Sequence, residues 1–274
     1  MEPLVNNVGI TRTEHIDFLE STVRLKLWFV WWHLHKNPQD SFRQTLNQRV
    51  DVWRKTSLNP AHLDGPWGLE KCPVWPTIVA RLEQLHGETK NDANATAFER
   101  KGLEILHELL MNRVDRDMED IRNKVGLENY QCGSLRHNLK PVQDNPQRIL
   151  FHIANDCYPE SPFADSGYFP QCFIKLMDAC ENLYGVTEIG SGTWLNSYPK
   201  WLRLFPEEWQ ANLGPPQTDV QWHYGYWGQF ITARKTFNHK VAEQFRRTGV
   251  IPFPMRFSYC SIASMREWLR VIRE

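Results

Sequence analysis

Ile149-Leu150-Phe151-His152-Ile153-Ala154 is a short, nearly continuous apolar run, the pattern of a strand buried on both faces. Pro159 and Pro162 mark a loop after it, and Phe173 to Leu183, with Leu176, Met177 and Cys180, has the spacing of a helix that Gly185 stops. Val186 to Leu195 then returns as a second strand, interrupted by Gly190 and Gly192. Strand, helix and strand within about fifty residues make a βαβ-like unit with at least one parallel pair.

Upstream the pattern is helical. Ile16, Leu19, Val23, Leu27, Val30 and Leu34 recur at spacings of three and four, and Thr11 with Glu14 predicts a capping box ahead of them. Asn37-Pro38 ends that helix and opens a second, striped by Phe42, Leu46, Val50 and Trp53. A turn-rich loop runs from Asn59-Pro60 to Gly68. Pro76 opens a third helix, which Gly87 stops, and Thr96 with Glu99 caps a fourth that keeps its period to Gly126. Four amphipathic helices without a strand signal predict a bundle-like region.

Downstream of the βαβ unit, Pro199 to Leu204 and Pro206 to Leu213 read as short helices, and Phe237 to Arg247 and Ser261 to Arg273 as longer ones. Val220 to Ile231 fits a strand or a helix equally. The expected fold is therefore α+β / α/β: a helical region over 1–130, a polar linker over 131–147, and over 148–274 an α/β domain with a small, partly parallel sheet. No repeat or low-complexity tract interrupts this layout.

Composition narrows the partners. The chain has 274 residues, 41% hydrophobic and 23% charged, which is the balance of a protein with a real core. Lys plus Arg and Asp plus Glu are both 32, so no broad field draws nucleic acid or an anionic membrane. The N-terminus lacks the pattern of a secretory signal, and Leu25 to Leu34 is too short to span a bilayer. Six scattered cysteines without a CxxC pair fit reduced thiols in the cytoplasm. The twelve tryptophans, six before residue 80 and six after residue 190, suit cores and ligand pockets alike.

Chemistry is expected at the carboxyl ends of the paired strands, where open sheets gather ligands. That rule selects His152, Asn155 and Asp156 after the first strand, and Thr193, Trp194 and Asn196 after the second. Trp222-His223-Tyr224-Gly225-Tyr226-Trp227-Gly228-Gln229 adds a third group. His152 or His223 is the expected general base, with Asp156 in the same site, because an imidazole titrates near neutrality. Asn155, Asn196 and Gln229 are the expected substrate-orienting residues, Trp194, Trp222 and Trp227 the walls, and Arg234 the partner of an anionic group. His152, Asp156 and His223 are also the ligand types of an iron or zinc site; His152 and Asp156 share a metal only if 150–156 is helical, since four strand residues span roughly 13 Å. Cys157 raises a thiol nucleophile as a further possibility. On Asp115, Asp117, Glu119 and Asp120, interleaved with Arg113, Arg116 and Arg122, the spacing is that of a salt-bridged helix face.

Phe151-His152-Ile153, followed by a helix and then by Thr193-Trp194-Leu195-Asn196, resembles the C-terminal domain of N-acyltransferases of the GNAT-like kind, over residues 148–230. The resemblance implies acyl transfer from an acyl-CoA to an amine or hydroxyl. In that family a glycine turn leading into a helix holds the pyrophosphate; the nearest segment here is Thr187-Glu188-Ile189-Gly190-Ser191-Gly192, with Thr187 in place of the family's Arg or Gln. A metal-dependent enzyme and a non-catalytic module for a hydrophobic ligand are the rival readings.

Overall fold

A computed structural model describes residues 10–59, 72–122 and 131–272. Its helices begin with α1 (Arg12–Lys36), α2 (Phe42–Gln44), α3 (Trp75–Thr89) and α4 (Thr96–Arg122). Then come β1 (Leu135–His137), β2 (Arg148–Ile153), α5 (Tyr168–Tyr184) and β3 (Glu188–Thr193). The chain closes with α6 (Pro199–Leu202), α7 (Glu207–Ala211), α8 (Tyr224–Trp227), α9 (His239–Thr248), β4 (Arg256–Ser261) and α10 (Ile262–Val271). The turn-rich stretch 60–68 and the stop at Gly126 lie outside the described residues.

The fold is α+β, many helices together with one small mixed sheet, as the patterning predicts. Two compact units divide it. The first comprises Met1–Val125, Val220–His223 and Phe230–Pro252; the second comprises Gly126–Asp219, Tyr224–Gln229 and Phe253–Glu274. Among the described residues no helix is long and apolar enough to cross a membrane.

In the first unit α1 opens with the predicted capping box: Thr11 Oγ1 accepts the Glu14 N–H at 3.2 Å, and Glu14 Oε2 accepts the Thr11 N–H at 2.8 Å. Leu19, Val23, Leu27, Val30 and Leu34 are buried, and so are Leu25, Trp28, Phe29 and Trp31 around the rest of the helix. The expected second helix is broken up. Pro38 sits in a turn, Ser41 caps α2, and a π-helical turn over Thr45–Val50 ends at Asp51 in the left-handed region. α3 runs past Gly87 to Thr89. Glu99 does not cap α4: Asn94 Oδ1 takes the Thr96 N–H, while Glu99 holds Arg246 of α9 through two 2.8 Å bonds. Gly249 ends α9 at φ +67°, where a Cβ would lie 2.1 Å from the Trp32 ring, so both backbone and space require glycine.

In the second unit the strand order is β1-β2-β3-β4, with β2 and β3 parallel and the outer pairs antiparallel. α5 makes the crossover between the parallel strands and stops at Gly185, φ +63°. Residues 131–147, expected as a linker, carry β1 in this sheet. One sheet face is packed: Ile149, Phe151, Ile189 and Cys260 meet Phe173, Leu176 and Met177 of α5, Trp209 of α7 and Met265 of α10. The other face is only partly covered, so β2 is not buried on both sides as its composition suggests: Leu150 is half-buried and His152 exposed. Segment 220–231 resolves into α8 and a 3-10 turn, Gly228–Phe230.

Candidate functional site

The alternation of β2 that sends Ile149 and Phe151 into the core turns His152 to the open face. Its cross-strand neighbour there is Arg136 of β1, and one residue past β1 Asn138 reaches back. His152 Nε2 lies 2.7 Å from Asn138 Oδ1. A carbonyl oxygen only accepts, so in this bond the ring donates through Nε2. The imidazole is thereby oriented by a second side chain.

The loop after β2 is built on its own polar groups. Asn155 Oδ1 accepts the Cys157 N–H at 2.9 Å and its Nδ2 donates to Glu160 O at 2.9 Å, an Asx-type turn. Asn155 therefore shapes the loop. Asp156 is exposed, its backbone N–H anchored on Ser134 Oγ at 3.1 Å. Ser134 Oγ also bonds the Tyr168 hydroxyl, 3.1 Å away, at the start of α5. Burial pushes the Tyr168 phenol well above its ordinary range.

At the end of β3, Thr193 Oγ1 accepts the Leu195 N–H at 3.2 Å and turns the chain into a 3-10 segment, Trp194–Ser197. Trp194 is half-buried between Tyr198 and Phe253, with ring centroids 6.1 and 5.9 Å away. Gly228 fits under it: a Cβ there would be 2.8 Å from the indole nitrogen.

Two expected substrate contacts turn out to be structural. Asn196 is fully buried; its Nδ2 donates to Ser191 O and Arg256 O, each at 2.9 Å, and its Oδ1 accepts the indole N–H groups of Trp201 (3.0 Å) and Trp209 (3.3 Å). Every position of that amide is used, which leaves nothing for a ligand. Gln229, 2% exposed, donates to Tyr226 O and Phe253 O and accepts the Phe253 N–H. Trp227 beside it is buried.

His223 and Trp222 belong to the first unit, whereas His152, Asp156, Trp194 and Trp227 belong to the second. Trp222 lies 3.7 Å over the Arg54 guanidinium and meets His223 edge-on at 5.7 Å. Burial, with the nearby Arg54 charge, lowers the His223 imidazole and favours its neutral, basic form. Arg234 is exposed and within electrostatic reach of Glu14. Because 148–153 is a strand, His152 and Asp156 are not one helical turn apart. Among the described residues no three His, Cys, Asp or Glu side chains gather as a metal site, so the proposed iron or zinc triad is not assembled. Gly190 and Gly192 are internal to β3, paired with Tyr259 and Phe257 of β4, rather than a turn entering a helix.

Sequence reasoning missed Asn138, Arg136, Ser134 and Tyr168, which carry no motif. It also passed over Lys26, which is 2% exposed near Asp51 and Arg54 in the first unit. A lysine inside the apolar run Leu25–Leu34 was the available signal. The open-face imidazole held by Asn138 is thus the most completely built candidate base in the second unit. No family model matches the chain, and no curated protein or solved structure matches it either.

Proposed function

We propose that the chain is a small-molecule group-transfer enzyme in which His152 is the general base, with acyl transfer to an amine or hydroxyl as the reaction. The observation that carries this reading is the 2.7 Å bond between His152 Nε2 and Asn138 Oδ1. The nucleophile's proton passes to Nδ1, and Asn138 Oδ1 then faces an imidazolium N–H that it already holds, so the ring does not reorient as it charges. Arg136, the cross-strand neighbour, supplies a cation for an anionic substrate group or a developing oxyanion. Balanced charge and six unpaired thiols support a cytoplasmic protein that works on small molecules without nucleic acid.

The test is a panel of acyl thioesters with amine and alcohol acceptors, followed by release of free thiol. His152→Ala is expected to lower turnover about 100-fold or more while thermal unfolding stays within a few degrees, since the side chain is exposed. Normal turnover in that variant removes the assignment. His223 is the other candidate base, supported by its lowered, neutral-favouring imidazole; loss of activity in His223→Ala with His152→Ala unimpaired moves the chemistry to the first unit.

A further inference from the structure

The two glycines of β3 stand in different surroundings. At Gly190 a Cβ would lie 3.2 Å from each of Phe257 Cζ, Ser258 O and Tyr259 Cβ, so packing against β4 excludes a side chain there. Gly192 has no such reason. Among the described residues a Cβ would meet Phe257 Cδ2 at 3.7 Å and Met255 Cε at 3.9 Å, ordinary van der Waals contacts, and its φ is not left-handed. The residue is also exposed. Glycine weakens a strand interior relative to alanine, and where packing does not demand it, it marks a place for close approach to the backbone. The neighbours decide what approaches. Phe257 of β4 pairs with Gly192 and is half-buried, as is Met255. On the other side β2 runs parallel to β3, with Leu150 opposite Gly190. Two residues further along each strand, on the same open face, His152 and Gly192 fall level, about 4.8 Å apart by strand spacing. The bond from Ser191 Oγ to Phe151 O, 3.0 Å, ties the two strands at that end.

We infer that Gly192 is the floor of a binding site for a flat aromatic ring, and that the ring belongs to the acceptor of the proposed transfer, a phenol or an aryl amine. One wall is a phenyl ring and a thioether methyl, both good partners for an aromatic edge or face; the opposite flank carries the imidazole. A ring lying on the bare backbone of Gly192 against Phe257 turns its hydroxyl or amino group toward His152. An alanine methyl would fill that gap. The acceptor role rests on His152 being the base of an acyl transfer; the ring-binding role does not. In the transfer the acceptor's oxygen or nitrogen bonds the acyl carbon and gives its proton to the imidazole. The C–S bond of the thioester breaks, and the thiolate leaves with that proton.

Gly192→Ala tests this without disturbing the fold, because the added methyl meets ordinary contacts. Binding of 4-fluorophenol and 4-fluoroaniline to the full-length chain is titrated by fluorine NMR line width, with cyclohexanol as the saturated competitor. The parent is expected to bind both rings, and cyclohexanol at equal concentration to displace neither. In Gly192→Ala the dissociation constant rises about tenfold or more, while the thermal midpoint holds or rises. His152→Ala keeps ring binding and loses turnover. Rings that bind Gly192→Ala as tightly as the parent overturn the inference. So do a parent that binds neither ring, displacement by cyclohexanol, and a midpoint lowered by several degrees in Gly192→Ala, which would make this glycine a packing residue like Gly190. Ring binding lost in Gly192→Ala while His152→Ala turns over normally upholds the aromatic site and removes the base, so the two claims fail separately.

Discussion

The two units bury polarity in opposite ways. In the second, amides and hydroxyls such as Asn196, Gln229, Ser134, Ser191 and Ser258 are buried, and Asn196 meets two carbonyls and two indoles with its whole bonding capacity. In the first, charge is buried. Lys26 donates to Val50 O inside α1's apolar surroundings, and Asp51 contacts Arg54, yet Asp51 Oδ2 and Arg54 Nε and Nη2 make no directed hydrogen bond. Burial, with the neighbouring Lys55 charge, holds the Lys26 ammonium down at about 7, and burial raises Asp51. A neutral amide needs only four well-placed partners; a charge must also be compensated for lost hydration, and this cluster compensates it incompletely. The amide hub contributes stability, and the charged cluster makes stability depend on pH.

The contrast breaks most visibly at Asn196. Asn196→Leu strands the indole N–H groups of Trp201 and Trp209 and the carbonyls of Ser191 and Arg256 in the core. We expect a loss of about 3–5 kcal/mol in urea unfolding at every pH between 6 and 9; a loss confined to part of that range contradicts a neutral hub.

Lys26 tests the other side. Its folded value, about 7, lies below the unfolded 10.5, so over that window the unfolded chain binds more protons and its contribution to stability rises with pH. The penalty is complete below about pH 7 and vanishes toward pH 10.5. Lys26→Met is expected to be more stable than the parent by roughly 2–4 kcal/mol at pH 6, with the gap closing as pH rises to 10. A pH-independent gap rejects the buried ammonium.

A double-mutant cycle sharpens the comparison. Lys26→Met and Asp51→Asn should couple by about 1–2 kcal/mol, because each variant changes the charge the other faces. Additive effects mean that Asp51 answers to Arg54 alone. The smallest effect is expected at Glu99→Gln, which keeps the shape of the pair with Arg246 and costs about 1 kcal/mol, read as a small fall in the denaturation midpoint.

How much of this was legible depended on whether the signal was local. α1, its capping box, the crossover helix α5 and its glycine end at Gly185 follow from near neighbours in the chain. β4 was invisible because its pattern runs backwards: Ser258 and Cys260 face the core, while Phe257 and Tyr259 are half-exposed on the other side. Tyr259 and Phe257 there meet Arg148, the guanidinium lying 3.4 Å from the Tyr259 ring centre. β1, three residues long, has no period to read. The candidate site was half legible. His152 follows from the strand-end rule, but Asn138, fourteen positions earlier, does not, and Asn196 and Gln229 have the composition of ligand contacts while serving the core.

By itself the sequence determined α1 with its capping box, the crossover helix α5 with its stop at Gly185 and the parallel βαβ unit, since these rest on spacings of two to four residues and on backbone preferences of single positions. Tertiary structure alone decided that Val220–His223 and Phe230–Pro252 join the first unit and that Asn138 orients His152. Those outcomes depend on which distant segments pack together, and a side chain's partner across the fold leaves no mark on its neighbours in the chain.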